Sequence, residues 1–231
     1  MATDGLSARP WVLLPGTLCT GEVFDGLLDD LGVDASLRKV VQIDRPSVQD
    51  YFPVFDTLTK DTVVCGFSLG AIVAAHAADC MNVDSLVLFG LNPYEDDPGK
   101  AADRQSLSHD VQTLGGAAAL QGRVTDVYGK DPQTTRDTIY RMADETAHLI
   151  ETQTQLAVTR PGALPALANA QTPVICLTGS EDQAAPPHQG HTAAQTASRG
   201  RFCGLNRLGH FALLEDPAAC AAAVRQMTDP Q

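Results

Sequence analysis

The chain has 231 residues, 44% of them hydrophobic, enough to bury one sizeable core, and this length favours one domain or a domain carrying an insertion. Its 28 acidic residues against 16 basic ones give a formal net charge of −12, which opposes docking on nucleic acid or on an anionic membrane surface. Acidity also serves solubility, so the charge limits partners without choosing a substrate.

In chain order, the apolar run Trp11 to Leu14 is stopped by Pro15 and Gly16 and reads as a strand buried on both faces, followed by a loop from Gly16 to Thr20. Glu22 to Leu31 puts Val23, Phe24, Leu27, Leu28 and Leu31 at helical separations. Lys39 to Ile43 reads as the next strand, Asp50 to Leu58 as a short helix interrupted near Pro53, and Thr62 to Phe67 as a third strand. The alanine-rich stretch from Leu69 through Ala78 then predicts a closely packed helix, and Val83 to Phe89 a fourth strand. Pro173 to Thr178 and, more weakly, Arg201 to Leu205 complete the strands, and Ala218 to Met227 predicts a terminal helix. Six strands alternating with helices predict an α/β fold with a mostly parallel sheet flanked by helices.

Between Asn92 and Ala170 the alternation stops, and helical patterns follow one another at Asp103 to Leu120, Val124 to Tyr128, Pro132 to Leu149 and Glu151 to Val158. The expected organisation is therefore a core formed by 1–91 and 171–231, with 92–170 as a helical cap insertion. A stripe of Ile139, Met142, Ala143, Thr146 and Ile150 is expected to face the main body, with Asp137, Arg141, Asp144 and Glu145 in water. Surface decoration that never meets substrate is the alternative for this segment.

The six cysteines contain no C-x-x-C pair, and Cys65 and Cys176 lie in apolar runs, so free thiols in a reduced compartment are expected. The amino-terminal sequence places Asp4 before any positive charge and holds only a short apolar stretch, unlike a signal peptide, and no segment approaches the roughly 20 apolar residues of a membrane span. A cytoplasmic protein without membrane association is expected.

The strongest local signal is Gly66-Phe67-Ser68-Leu69-Gly70, between an apolar strand and a helix. A sharp strand-to-helix turn lifts a serine hydroxyl above the sheet edge, and small flanking residues permit the close backbone approaches of such a turn. Ser68 is the candidate nucleophile. The competing role is an ordinary helix cap made by the same hydroxyl.

With this GFSLG, the early LLPGT, the later GSEDQAAPP and the final GH, the chain resembles the α/β-hydrolase superfamily over almost its whole length, as a small capped member similar to serine esterases and thioesterases. The resemblance implies an oxyanion hole from the backbone amides of Leu69 and Thr17, although Pro15 stands where many relatives have a histidine. It implies His210 as the base, late in the chain, whereas His76 reads as a packed helix histidine and His109 and His148 belong to the insertion. Asp182 is implied as the acid that orients the imidazole, with Glu181 as its immediate rival. The order Ser68, Asp182, His210 fits the superfamily.

Leu18, Phe67, Leu91 and Phe211 are candidates for contact with an acyl group, core packing being the competing role for each. His188 and His191 lack a recognised metal-binding spacing, so no metal is expected, and the mechanism requires no cofactor. The expected function is serine-dependent hydrolysis of a small carboxylic ester through an acyl-enzyme. An acyl thioester substrate, hydrolysis of a C–C bond, and a noncatalytic binding protein on the same fold remain alternatives.

Overall fold

The computed structural model describes residues 5–228. Six strands, β1 (Trp11–Leu14), β2 (Arg38–Val40), β3 (Val63–Phe67), β4 (Ser85–Phe89), β5 (Val174–Gly179) and β6 (Gly200–Leu205), form one sheet in the order β2-β1-β3-β4-β5-β6. Every neighbouring pair is parallel, with Leu14 beside Gly66, Phe67 beside Phe89 and Phe89 beside Leu177. β1, β3, β4 and β5 are buried along their whole length, as expected of strands covered on both faces.

Because side chains alternate across a strand, one face carries Val12, Leu14, Val64, Leu88 and Cys176 and the other carries Leu13, Cys65, Phe67, Val87 and Leu177. The first face packs against α3 (Leu69–His76), α8 (Leu164–Asn169) and α9 (Pro187–Thr196). The second packs against α1 (Asp25–Asp30), the short α10 (Ala212–Glu215) and α11 (Pro217–Thr228). The chain runs from β1 outward to β2, then returns to the other side of β1 as β3. The loops leaving β1 and β3 therefore meet at the switch point where α/β sheets bind ligands.

The strand from Lys39 to Ile43 is shorter than its pattern suggested: β2 ends at Val40, although Val41 N–H still donates to Leu13 C=O at 2.8 Å. The helix over Glu22 to Leu31 divides into a 3-10 turn at Gly21–Phe24, begun by Thr20, and α1. The segment over Asp50 to Leu58 forms a 3-10 turn at Val48–Tyr51 followed by the short α2 (Phe52–Phe55).

Between β4 and β5 lie α4 (Pro98–Leu114), α5 (Gly116–Leu120), α6 (Pro132–Thr146), α7 (Ile150–Thr159) and α8. α4 starts earlier than expected because Asp97 caps it, accepting Gly99 N–H at 2.9 Å with Pro98 in the first turn. Gly115, at φ +92°, splits the helix expected over Asp103 to Leu120. Val124 to Tyr128 is not helical. It is bracketed by Gly122 and Gly129 in left-handed conformations and is too short to propagate a helix between them.

The stripe on α6 and at the start of α7 is buried and Asp137, Arg141, Asp144 and Glu145 are exposed, but only Met142 joins the sheet core, while Ile139, Ala143 and Ile150 pack apart from it. Val111, Ala119, Leu120, Val127, Ile139, Ala143 and Ile150 make a separate apolar cluster that also contains Leu18 and packs against Phe211 and Leu214. Leu18 follows β1, and Phe211 and Leu214 follow β6, so these helices close on the carboxyl edge of the sheet. α8 packs differently, placing Leu167 in the main core with α3 and α9. Among the described residues no helix is long and apolar enough to cross a membrane. The leader expectation depends partly on residues 1–4, which lie outside the described residues.

Candidate active site

Strand β3 delivers Ser68 to the carboxyl edge, where its backbone takes φ 50° and ψ −115°, a strained conformation for a residue with a side chain. Ser68 N–H donates to Phe89 C=O at 2.9 Å and Ser68 C=O accepts Ile72 N–H at 3.0 Å, fixing the turn at both ends. Glycine is required on each side: a Cβ at Gly66 would lie 2.6 Å from Ala71 Cα, and one at Gly70 would lie 2.0 Å from Leu14 O. The Ser68 hydroxyl makes no capping bond to α3. It lies instead 3.0 Å from His210 Nε2.

His210 follows β6 in a loop that brings its other ring nitrogen, Nδ1, to 2.8 Å from Asp182 Oδ2. Asp182 is 2% exposed, and its second oxygen accepts the amides of Ala184 at 2.9 Å and Ala185 at 2.8 Å, so the carboxylate cannot rotate without losing both. With Oδ2 accepting Nδ1–H, the lone pair on Nε2 faces the serine hydroxyl. Glu181 is exposed and bonded to Ser180 Oγ at 3.0 Å, away from the imidazole. Phe67 and Phe211 enclose the His210 ring, with centroids at 5.1 and 5.6 Å.

The structure thus joins Ser68, His210 and Asp182 in one hydrogen-bonded chain. The remaining histidines stand elsewhere. His76 is held between the carbonyls of Ile72 and Pro161, each 2.7 Å away, and His109, His148, His188 and His191 are exposed.

Leu69 opens α3, so its amide has no carbonyl four residues back within the helix. Thr17 lies in the turn after β1, where Gly16 packs against Phe67 and Ser68; a Cβ there would come within 3.1 Å of both side chains. The neighbouring Leu18 amide is engaged by Gln153 Oε1 at 3.0 Å. Of the four apolar candidates, Leu18 lies inside the cluster formed by α4 to α7, Phe211 packs against that cluster, Phe67 packs under the imidazole, and Leu91 is wholly enclosed in the main core.

Three neighbours escape the sequence reading. Gly90, at φ +57°, lies against the imidazole, Glu215 accepts Gly209 N–H at 2.5 Å, and Gln153 reaches the β1 turn from α7. Gly90 ends an apolar strand run and Gln153 interrupts the buried spacing of Ile150, Leu156 and Ala157, which are the signals that would have marked them.

A family model described as the alpha/beta hydrolase family matches residues 6–223. The chain belongs to the alpha/beta hydrolase family. Among solved structures, this family member is similar to a thermophilic esterase from Thermogutta terrifontis, at 17% identity and TM-score 0.76 over 95% of this chain and 89% of that one. A carboxylesterase structure from the ammonia-oxidizing thaumarchaeon Nitrososphaera gargenis aligns at 16% identity and TM-score 0.77, covering 96% and 89% of the two chains. An enol-lactonase from Burkholderia xenovorans aligns at 17% identity and TM-score 0.74, covering 95% and 91%. These likenesses concern the fold. No curated protein sequence matches this alpha/beta hydrolase significantly.

Proposed function

We propose that this protein is a serine-dependent hydrolase of small carboxylic esters, with Ser68 as nucleophile, His210 as general base and acid, and Asp182 as the orienting carboxylate. The observation that carries the reading is the Ser68 Oγ to His210 Nε2 contact of 3.0 Å on an imidazole already bonded to a buried carboxylate. A serine hydroxyl is a poor nucleophile until a base within hydrogen-bond reach can take its proton.

In the proposed cycle Ser68 Oγ bonds to the ester carbonyl carbon as its proton passes to His210 Nε2, and the carbonyl electron pair moves onto oxygen. The Leu69 and Thr17 amides stabilise that oxyanion, a contribution of about 3–4 kcal/mol for one such donor. Collapse breaks the bond to the alcohol, which departs with the proton from His210. Water then attacks the acyl-enzyme, gives a proton to His210, and the second collapse returns that proton to Ser68 while releasing the acid.

Asp182 stays ionised and stabilises the imidazolium formed in each half-reaction. Helices α4 to α7 are proposed to form a cap over this site, with Phe211 facing the acyl group, whereas Leu18 is better explained by the cluster of α4 to α7 that encloses it. Leu91 is better explained by the core that encloses it.

The test is incubation with a serine-directed fluorophosphonate, followed by intact mass and peptide mapping, alongside turnover of short and long p-nitrophenyl esters and acyl thioesters. Modification at Ser68 and ester turnover are expected. Ser68→Ala and His210→Ala should each lower kcat by about 10³-fold or more while the folded protein persists. Undiminished turnover in folded Ser68→Ala rejects the serine mechanism, and a preference for thioesters assigns the substrate class differently.

A further inference from the structure

We propose that Gln153 is a positioning residue for the oxyanion loop, holding the turn after β1 in its working conformation from the cap helix α7. This rests on the reading of Ser68 as an acyl-transfer nucleophile and of Thr17 N–H as an oxyanion donor.

Gly16 to Cys19 form a tight turn closed by Cys19 N–H donating to Gly16 C=O at 3.2 Å. Leu18, at its third position, has φ +56°. That left-handed value belongs to a type II turn, where glycine or asparagine is the usual occupant, and leucine pays a steric penalty there. Rotating the Thr17–Leu18 peptide toward a type I turn would relieve the strain, so something must oppose the rotation.

Both ends of that peptide are held. Leu18 N–H donates to Gln153 Oε1 at 3.0 Å, and Thr17 C=O accepts the Cys19 thiol at 3.3 Å. A rotated peptide would turn a carbonyl oxygen toward Gln153 Oε1, oxygen against oxygen. Gln153 is fixed in turn: it is fully buried, and its Nε2 donates to Ile43 C=O at 3.1 Å. Only one orientation of the side-chain amide satisfies both partners. The Leu18 side chain is held as well, within the cap cluster beside Val111 and Ile150.

Consequently Leu18 N–H is taken by Gln153 and Cys19 N–H by Gly16 C=O, so neither serves substrate, and Thr17 N–H is the donor this turn is proposed to offer. Losing Gln153 releases the strained peptide, and an oxyanion donor acts only while it is aimed at the developing charge.

The test compares Gln153→Met and Gln153→Glu with wild type for kcat and KM on a p-nitrophenyl ester, for the rate of Ser68 phosphonylation, and for thermal melting. Met fills the space without accepting a hydrogen bond from Leu18. It should lower kcat about 10- to 100-fold, leave KM within about threefold, and slow phosphonylation in parallel. Glu in this fully buried position, where both partners are uncharged backbone groups, takes up a proton, and the neutral acid then accepts from Leu18 and donates to Ile43 as glutamine does.

The ratio of Gln153→Glu to wild-type kcat should therefore approach one at low pH and fall as pH rises, while the ratio for Gln153→Met stays flat. A purely structural role would lower melting temperature and leave kcat of the folded protein, and both ratios, unchanged. Folded Gln153→Met with wild-type kcat, or a pH-independent Gln153→Glu ratio, overturns the proposal; the Glu variant alone decides if Met prevents folding. Wild type that neither labels at Ser68 nor turns over an ester overturns the reading of the site itself. An active, labelled wild type with indifferent variants overturns only the role of Gln153.

Discussion

Gly90 and the His210 imidazole touch so closely that a Cβ on the glycine would stand 3.0 Å from Cε1 and 3.2 Å from Nδ1. Gly90 leaves β4 at φ +57°, so replacement by alanine meets two separate penalties. The left-handed backbone costs about 1–2 kcal/mol for a residue with a side chain. The new methyl group also pushes the imidazole off the line between Asp182 and Ser68. Gly90→Ala is expected to lower the melting temperature by a few degrees and, separately, to reduce kcat/KM by about tenfold or more. Parallel melting and kinetic measurements check this, and wild-type kcat/KM in the variant would show that the ring has room to yield.

The sheet and the turn that carries Ser68 were legible because each has a local signature: uninterrupted apolar runs for buried strands, and small residues around a serine at a strand end. Asp182 and His210 carry no such signature and were implied only by the family resemblance. What escaped depends on contacts made only after folding. Gln153 and Leu18 are 135 positions apart, and neither residue type advertises the other. Helix α9 was missed because Pro187, Gly190 and two histidines weaken its helical pattern. Tertiary packing supplies the reason for its glycine, since a Cβ at Gly190 would meet Thr178 Oγ1 at 2.7 Å. Val124 to Tyr128 failed in the opposite direction, with an apolar pattern used for an irregular segment that buries Val127.

Glu215 makes the stability of the His210 loop depend on pH. Glu215 is 5% exposed, and burial raises the pKa of its carboxyl above the usual carboxylate range, opposed by the amides of Gly209 and Tyr128 and by His210. The folded protein therefore holds this proton more tightly than the unfolded chain. Stability contributed here is complete below the ordinary glutamate value and is lost as pH rises through the raised one. Glu215→Gln keeps an oxygen to accept Gly209 N–H and removes the ionisation. Its melting temperature relative to wild type should be level at low pH, climb through that window, and level again above it. Calorimetry from about pH 4 to 8 checks the sign, and a difference that shrinks with pH would contradict it.

The cysteines should separate by reactivity. Burial pushes the thiols of Cys19 and Cys176 up to about 12 and raises those of Cys65 and Cys220 still further, leaving almost no thiolate at neutral pH. Cys80 is exposed, and Cys203 is partly covered. Brief alkylation of the native protein should modify Cys80 first and Cys203 more slowly, with the other four reacting only after denaturation. Ester turnover should survive the first modification, since neither exposed thiol belongs to the proposed site. Peptide mapping with parallel assays checks both points, and rapid labelling of Cys19 would mean that the turn after β1 opens.

The chain entering α4 and the chain leaving α7 are joined by Asp96 and Arg160. Arg160 has a side chain only 1% exposed, with Nη1 3.2 Å from Asp96 Oδ1, while the 6%-exposed Asp96 also receives Arg104 Nε at 2.9 and 3.0 Å. Among the described residues Arg160 Nε and Nη2 have no hydrogen-bond partner, and burial lowers the pKa of its guanidinium, so Asp96 supplies the main compensation for a poorly solvated cation. Asp96→Ala leaves that cation beside a second arginine and should cost about 3–5 kcal/mol in urea unfolding. Removing the cation as well, with Arg160→Met in the same chain, should recover most of the loss because a hydrophobic side chain needs no counter-charge there. If the two substitutions instead add, the cost of Asp96→Ala arises from the Arg104 contact and from packing, and the buried pair is not what fastens the ends of the α4 to α7 segment together.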